Sequence, residues 1–217
     1  MGISLFHLWD SNPLINAKTH LFKILEKVNQ YTHNLEFVVS GGFQPNLLSS
    51  EFVNTLKRCG FKKIGLTLET SDSKRMQESG RPSNISHLER AIINSIEAGY
   101  TSDDIEIVLL IDQPGQSLDS VLSDIIKVYQ NEVMVLFTIF TPIPQTVDFV
   151  NYRHLFKERA LEDLDPLLYP FASPVLTTRQ IDSIIKYFNY NYFPLSSIAE
   201  SSSDDSVISR MRELIQQ

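Results

Sequence analysis

The chain has a single cysteine, Cys59, among its 217 residues. That excludes an internal disulfide and fits a reducing compartment. Cys59 precedes Gly60 at a predicted helix end, the usual place of a small buried thiol. No apolar run approaches the ~20 residues that cross a bilayer, and the N-terminus lacks a secretory pattern. The expected location is the cytoplasm, with no membrane partner. Positive charge is also scarce. The net charge of −7 removes the basic face that nucleic acid requires, so none is expected as a partner. The one cluster of cations, Lys57, Arg58, Lys62 and Lys63, straddles a helix end and reads as a solvated face that complements the helix dipole. A phosphate-binding GxxxxGKS/T loop, a GxGxxG turn and a GxSxG elbow are all missing, and no side chains have metal-ligand spacing. His7 falls inside a strand, His20, His33 and His87 in or beside helices, and His154 in a loop, so none suggests a catalytic pair.

What the chain does have is apolar content, 42% of residues. That suits one compact domain, or one plus a tail, at roughly 100–200 residues per domain. Apolar runs recur at ISLFHLW (3–9), LEFVV (35–39), KIGLTL (63–68), IEIVLLI (105–111) and VMVLFTIF (133–140). Near-continuous Val, Ile, Leu and Phe are typical of strands covered on both faces, as in a parallel sheet.

Helical patterns separate these runs. Asn12-Pro13 offers a cap and a first-turn proline ahead of Leu14, Ala17, Leu21, Leu25, Val28 and Tyr31. Ser49 or Ser50 opens a helix that Gly60 stops. Ser86 with Glu89 reads as a capping box for the next, ended by Gly99. Ser117 opens another, and Thr177 with Gln180 caps a last one bearing Ile181, Ile184, Ile185 and Phe188. Residues 72–84 read as a loop. Strand starts lie about 30–40 residues apart, the spacing of βα units. Residues 1–195 read as one domain, and 196–217 as a polar linker and a short terminal helix.

Periodicity leaves a closed or partial (β/α) barrel and an open doubly wound sheet both possible; in either, ligands sit at the carboxyl ends of the strands. Those ends read WDSN (9–12), SGGF (40–43), ETSD (69–72), DQPG (112–115) and TPIP (141–144). Carboxylates and hydroxyls there can hold a polyhydroxylated ligand, because an ionised carboxylate accepts two hydrogen bonds from a diol. Asp72, Asp112 and Ser117 also lie where helix caps are wanted. Glu69 closes a central strand with no helix start immediately after it, and a carboxylate there needs a partner. An unrelated barrel enzyme using Asp10, Glu69 and Asp112 directly is a further reading of the same acids.

Taken in order, several segments resemble the radical S-adenosylmethionine (radical SAM) superfamily, most closely the subgroup often preceded by a cobalamin-binding domain. LFHLWDSNPLIN resembles its second strand and loop. LSSEFVNTLKRCGFKKIGLTLETSD resembles its fourth strand, ending in Glu-Thr, and MQESGRPSN the basic loop that follows. AIINSIEAGYTSDDIEIVLLIDQPGQSLDSVL and FTIFTPIPQT resemble its fifth and sixth strand regions. The resemblance covers residues 3 to about 190. It implies a partial (β/α) barrel of the TIM type with about five to six parallel strands, the first βα unit missing.

It also implies S-adenosylmethionine as ligand. Glu69 and Ser71 would hold its ribose, Asn12 its amino group, and Arg81 its carboxylate. Ile111 and the backbone near Pro142 would flank the adenine, and Ser40 would complete the set. The family's CxxxCxxC loop, which holds an iron–sulfur cluster, has no counterpart here. The chain therefore reads as the barrel portion of such an enzyme, inactive alone, or as a degenerate barrel that binds a ligand or protein. Strand 3–9 would present an unpaired edge to a missing segment, a partner chain or its own copy. The sequence assigns neither the substrate, nor a cobalamin requirement, nor roles for Tyr152, Tyr169 and Phe171.

Overall fold

The computed structural model describes residues 3–10, 12–31, 35–39, 41–165, 176–189 and 204–216. Ser40, Tyr169, Phe171 and the polar stretch 196–203 lie outside them. The first elements are β1 (Leu5–Leu8), α1 (Leu21–Tyr31), β2 (Glu36–Val39), α2 (Ser50–Arg58) and β3 (Ile64–Glu69). Then come α3 (Ser73–Glu78), α4 (Ile85–Glu97), β4 (Ile105–Ile111), α5 (Leu118–Tyr129) and β5 (Met134–Ile139). Among the described residues, α6 (Val147–Tyr152), α7 (Thr178–Asn189) and α8 (Asp204–Gln216) come next.

Strands β1 and β2 pair in parallel, with Leu5 opposite Glu36 and Leu8 opposite Val39. Strands β3, β4 and β5 form a second sheet in that order. Isolated parallel bridges join Phe37 to Phe61 and Phe43 to Leu66. The described residues thus hold five strands in two sheets, where five to six in one barrel were expected.

The strands are also less symmetric than their apolar runs imply. In β3, Ile64, Leu66 and Leu68 are buried while Gly65, Thr67 and Glu69 are half-buried. The same alternation runs through β4 and β5. One face of each strand is packed and the other is partly open, which puts Glu69 on the partly open face. Strand β1 is exposed on both faces up to Leu8.

Caps explain most helix starts. Ser49 accepts from the Phe52 amide, Ser117 from that of Ser120, and Thr177 from that of Gln180. Three expectations change. Residues 13–20 form turns rather than helix, because Asn16 is left-handed (φ +55) and interrupts the pattern that Pro13 opens. Leu14 and Ala17 are buried all the same. The α4 cap is Asn84, whose side chain accepts from the His87 amide, not Ser86. The stretch after Asp72 is not all loop: Asp72 caps α3 by accepting from Lys74 and Arg75 amides.

By packing, the chain divides into two units. One comprises 1–68, 82–108 and 131–134, the other 69–81, 109–130 and 135–217. In the first, α2 packs with α4, Phe22 meets Phe52 edge-on at 5.0 Å, and Phe43, Phe61, Leu66 and Leu88 are fully buried. Gly42 permits close approach there: a side chain on it would meet the Gly65 backbone at 3.1 Å. The cationic cluster is a set of separate partnerships, with Lys57 over the Tyr100 ring, Lys62 near Glu36 and Lys63 on Glu106. In the second unit, Phe188 of α7 lies against Tyr129 and Phe137. Helix α8 packs against α5 and α7, and its Arg212 contacts Asp119 at 2.6 Å. No helix of the described residues is long and apolar enough to cross a membrane.

Candidate functional site

The chemistry-bearing residues of the second unit converge where β3 and β4 end. Glu69, last residue of β3, adopts φ +73, and Asp112, just past β4, adopts φ +62. Such conformations cost about 1–3 kcal/mol in a non-glycine residue and gather where a side chain must be aimed. The Glu69 carboxylate is 19% exposed and meets Arg81 Nε at 2.8 Å. Burial pushes its pKa up. Arg81 opposes that shift, Asp148 adds to it and Arg75 opposes it. Arg81 is 42% exposed, so solvent screening leaves the pair worth at most about 1 kcal/mol.

The residues that follow are held in another way. The Thr70 hydroxyl donates to Asp124 Oδ2 at 2.8 Å, and the Ser71 amide donates to Oδ1 at 2.8 Å. The Ser71 hydroxyl donates to the same Oδ1. Thr70, Ser71 and Asp124 are all buried. Burial raises the Asp124 pKa, against the three hydrogen bonds, which favour the ionised form. Gln113 closes the arrangement, its amide donating to the carbonyls of Glu69 (3.2 Å) and Leu110 (3.1 Å).

Beside this loop opens a cleft of about 250 Å³, lined among others by Thr70, Lys74, Arg75, Gln113, Ser117 and Tyr152. Arg75 Nη1 lies 2.9 Å from Asp148 Oδ1, both side chains 11% exposed. The contact is ionic but off-line for a hydrogen bond. The Arg75 nitrogens are sealed from the cleft, and Asp72 is spent on its cap.

Among the residues singled out by sequence, Glu69 and Arg81 are brought into direct contact. Ser71 sits two residues on, engaged with Asp124. Ile111 is buried on the packed face, and its carbonyl accepts from the Phe140 amide at 2.9 Å. Pro142 is buried in the same unit. Asn12 belongs to the first unit, where its side-chain amide atoms are buried without a hydrogen-bond partner. Asp10 is exposed and accepts from the Asn12 amide, and Asp112 is wholly buried while Ser117, not Asp112, caps α5. Sequence reasoning missed Asp124 and Gln113. A signal for Asp124 existed: it falls on the inward face of α5, among Val121, Leu122, Ile125 and Val128, where a carboxylate is out of place without a partner.

Metal chemistry finds less support. An iron–sulfur cluster needs several thiolates, and Cys59 is alone and buried at the α2 C-cap, its thiol pKa pushed up by burial. The donor set does not fit such a cluster. No group of three His, Cys, Asp or Glu among the described residues could hold a metal ion.

Parallel strands alternating with helices, with Glu69 closing β3, define an α/β fold class. Within it, known structures narrow the relationship. Coproporphyrinogen III oxidase (HemN) of Escherichia coli, a radical SAM enzyme, matches with a TM-score of 0.58 and 14% identity, over 79% of this chain and 37% of that one. The radical SAM methyltransferase TsrM of Kitasatospora setae, solved with cobalamin and a four-iron four-sulfur cluster, matches at 0.58 and 16%, over 72% of this chain and 31% of its own. Methylornithine synthase (PylB) matches at 0.53 and 15%, over 98% of this chain and 68% of its own. The chain shares its fold with radical SAM enzymes. It spans well under half the length of the first two. No family model and no curated protein sequence matches it.

Proposed function

We propose that this chain is the barrel portion of a radical SAM-type enzyme that keeps a nucleoside grip and lacks its own cluster. The observation that carries the reading is Glu69: a largely buried carboxylate, held in a left-handed conformation at the end of β3, in contact with the Arg81 guanidinium. S-adenosylmethionine offers it a ribose diol, which a carboxylate binds through two charge-assisted hydrogen bonds. Arg81 exchanges Glu69 for the ligand's own carboxylate, a reading supported by their 2.8 Å contact and the exposure of Arg81. The backbone between Phe140 and Pro142, tied to Ile111, borders the adenine. Without thiolates to hold a cluster, no electron reaches the ligand through this chain, so by itself it binds and does not turn over. The substrate is met by other parts of the enzyme, and a cobalamin requirement would also reside there.

Titration calorimetry with S-adenosylmethionine tests this. Binding is expected, and Glu69→Gln should weaken it about tenfold, the loss of one charge-assisted contact of roughly 1.5 kcal/mol. Iron after anaerobic reconstitution should stay near zero. Absence of binding by the unaltered chain would sink the reading and favour an unrelated barrel. The alternative reading is a degenerate barrel acting only as a binding module. That version predicts that adding a CxxxCxxC-bearing segment in trans restores no cleavage of the ligand.

The same reading gives β1 a role. Ile3, Leu5, Phe6 and Trp9 are 74%, 47%, 40% and 88% exposed, and among the described residues β1 pairs with β2 alone. Its free edge carries neither the charge nor the proline that blunts natural edges. A strand from another segment, another chain or a second copy pairs there.

A further inference from the structure

We propose that Asp124 is a positioning residue for Glu69, and that Ser71 and Thr70 act through Asp124 rather than on the ligand. The inference rests on Glu69 being the ligand-gripping carboxylate.

The geometry fixes the chain on both sides of Glu69. Its carbonyl is held by the Gln113 amide, and the next two residues are fastened to one carboxylate on α5. A strand-end glutamate without such anchors relaxes toward the extended region, because left-handed φ is unfavourable for a residue with a Cβ. Held as it is, the peptide after Glu69 is turned aside and the carboxylate stays on the partly open face with Arg81.

Asp124 is not required by the packing of α5. Its neighbours Val121, Leu122, Ile125 and Val128 are buried and apolar, and a leucine there would suit that face. The hydrogen bonds that Asp124 accepts come instead from Thr70 and Ser71, the two residues that follow Glu69. Ser71, for its part, has one hydroxyl proton, and it is given to Asp124. Ser71 is also buried, so the ribose role that resemblance assigns to it passes to Glu69 on the partly open face, with Ser71 in support.

The test uses the whole chain and two independent readouts. First, the Glu69 carboxyl is titrated by carbon NMR without ligand. The charged groups around it are Arg81, Asp148 and Arg75, and Asp124 is not among the causes of its shift. Removal of the Asp124 charge therefore leaves that titration in place unless the carboxylate moves. Asp124→Ala should bring Glu69 back toward an ordinary glutamate, while Asp124→Asn, which keeps an acceptor for the Ser71 amide, should preserve most of the shift. An unchanged titration in folded Asp124→Ala overturns the proposal. If Asp124→Ala does not fold, Ser71→Ala is read in the same way, with a smaller shift expected and no shift overturning it.

Second, S-adenosylmethionine affinity is measured in a double-mutant cycle. Asp124→Ala should weaken binding at least about tenfold through misplacement of the carboxylate. Ser71→Ala should weaken it alone and add nothing in the Asp124→Ala background, since both act on one arrangement. Equal penalties in both backgrounds would mean that Ser71 touches the ligand, and would overturn the proposal. Should the ligand not bind at all, the reading of the site fails, yet the titration still decides whether Asp124 positions Glu69.

Discussion

At the scale of single residues, two buried acids set the pH response. Glu69 and Asp124 both have pKa values raised by burial. In the unfolded chain they titrate near 4.3 and 3.9. Below that range both states are protonated and neither acid disfavours folding. As pH rises through the raised folded values, the unfolded state releases its protons first and stability is lost. The unaltered chain should therefore lose more stability between pH 4 and 8 than Glu69→Gln or Asp124→Asn, by urea midpoints. Ligand binding runs the other way, because the diol needs the ionised Glu69. Affinity should climb over the same interval. A third acid, Asp148, balances the largely buried Arg75 side chain. Asp148→Ala leaves Arg75 uncompensated and should cost about 3–5 kcal/mol, while an Arg75→Met, Asp148→Leu pair should cost much less.

At the scale of elements, the turns carry the constraint. Gly60 ends α2 at φ +97, and a side chain there would run into the Leu35 carbonyl oxygen. Only a backbone shift relieves that contact. Gly60→Ala should destabilise by about 2–4 kcal/mol, strain and overpacking combined, measured as a lowered melting temperature. Much at this scale was legible beforehand. Ser49, Ser117 and the Thr177–Gln180 pair announce their helices because a cap is a local hydrogen bond between near neighbours. Residues 13–20 and 73–78 were misread for a related reason. Asn16 turning left-handed and Asp72 starting a helix are choices among near-equal local options, settled by what packs around them.

For the whole molecule, the open question is the edge of β1. An apolar strand exposed on both faces is a template for pairing. Sedimentation velocity should reveal concentration-dependent association of the isolated chain, and Leu5→Lys should shift it to monomer. A strictly monomeric chain at all concentrations, with fast amide exchange in β1 throughout, would mean that the edge is not used by a second copy.

The sequence by itself determined the parallel α/β class, the position of the five described strands and most caps, and it put Glu69 at a strand end, since periodicity and residue chemistry are local properties. It also settled the lack of thiolates, which is a matter of counting. Only the tertiary structure decided which groups meet. Arg81 lies twelve positions from Glu69, and Asp124 more than fifty from Ser71; their pairing depends on how the chain returns to the strand ends. The one-sided burial of the strands was decided there too. Apolar runs record what a strand can bury, whereas the number of packed faces depends on neighbours that no local pattern encodes.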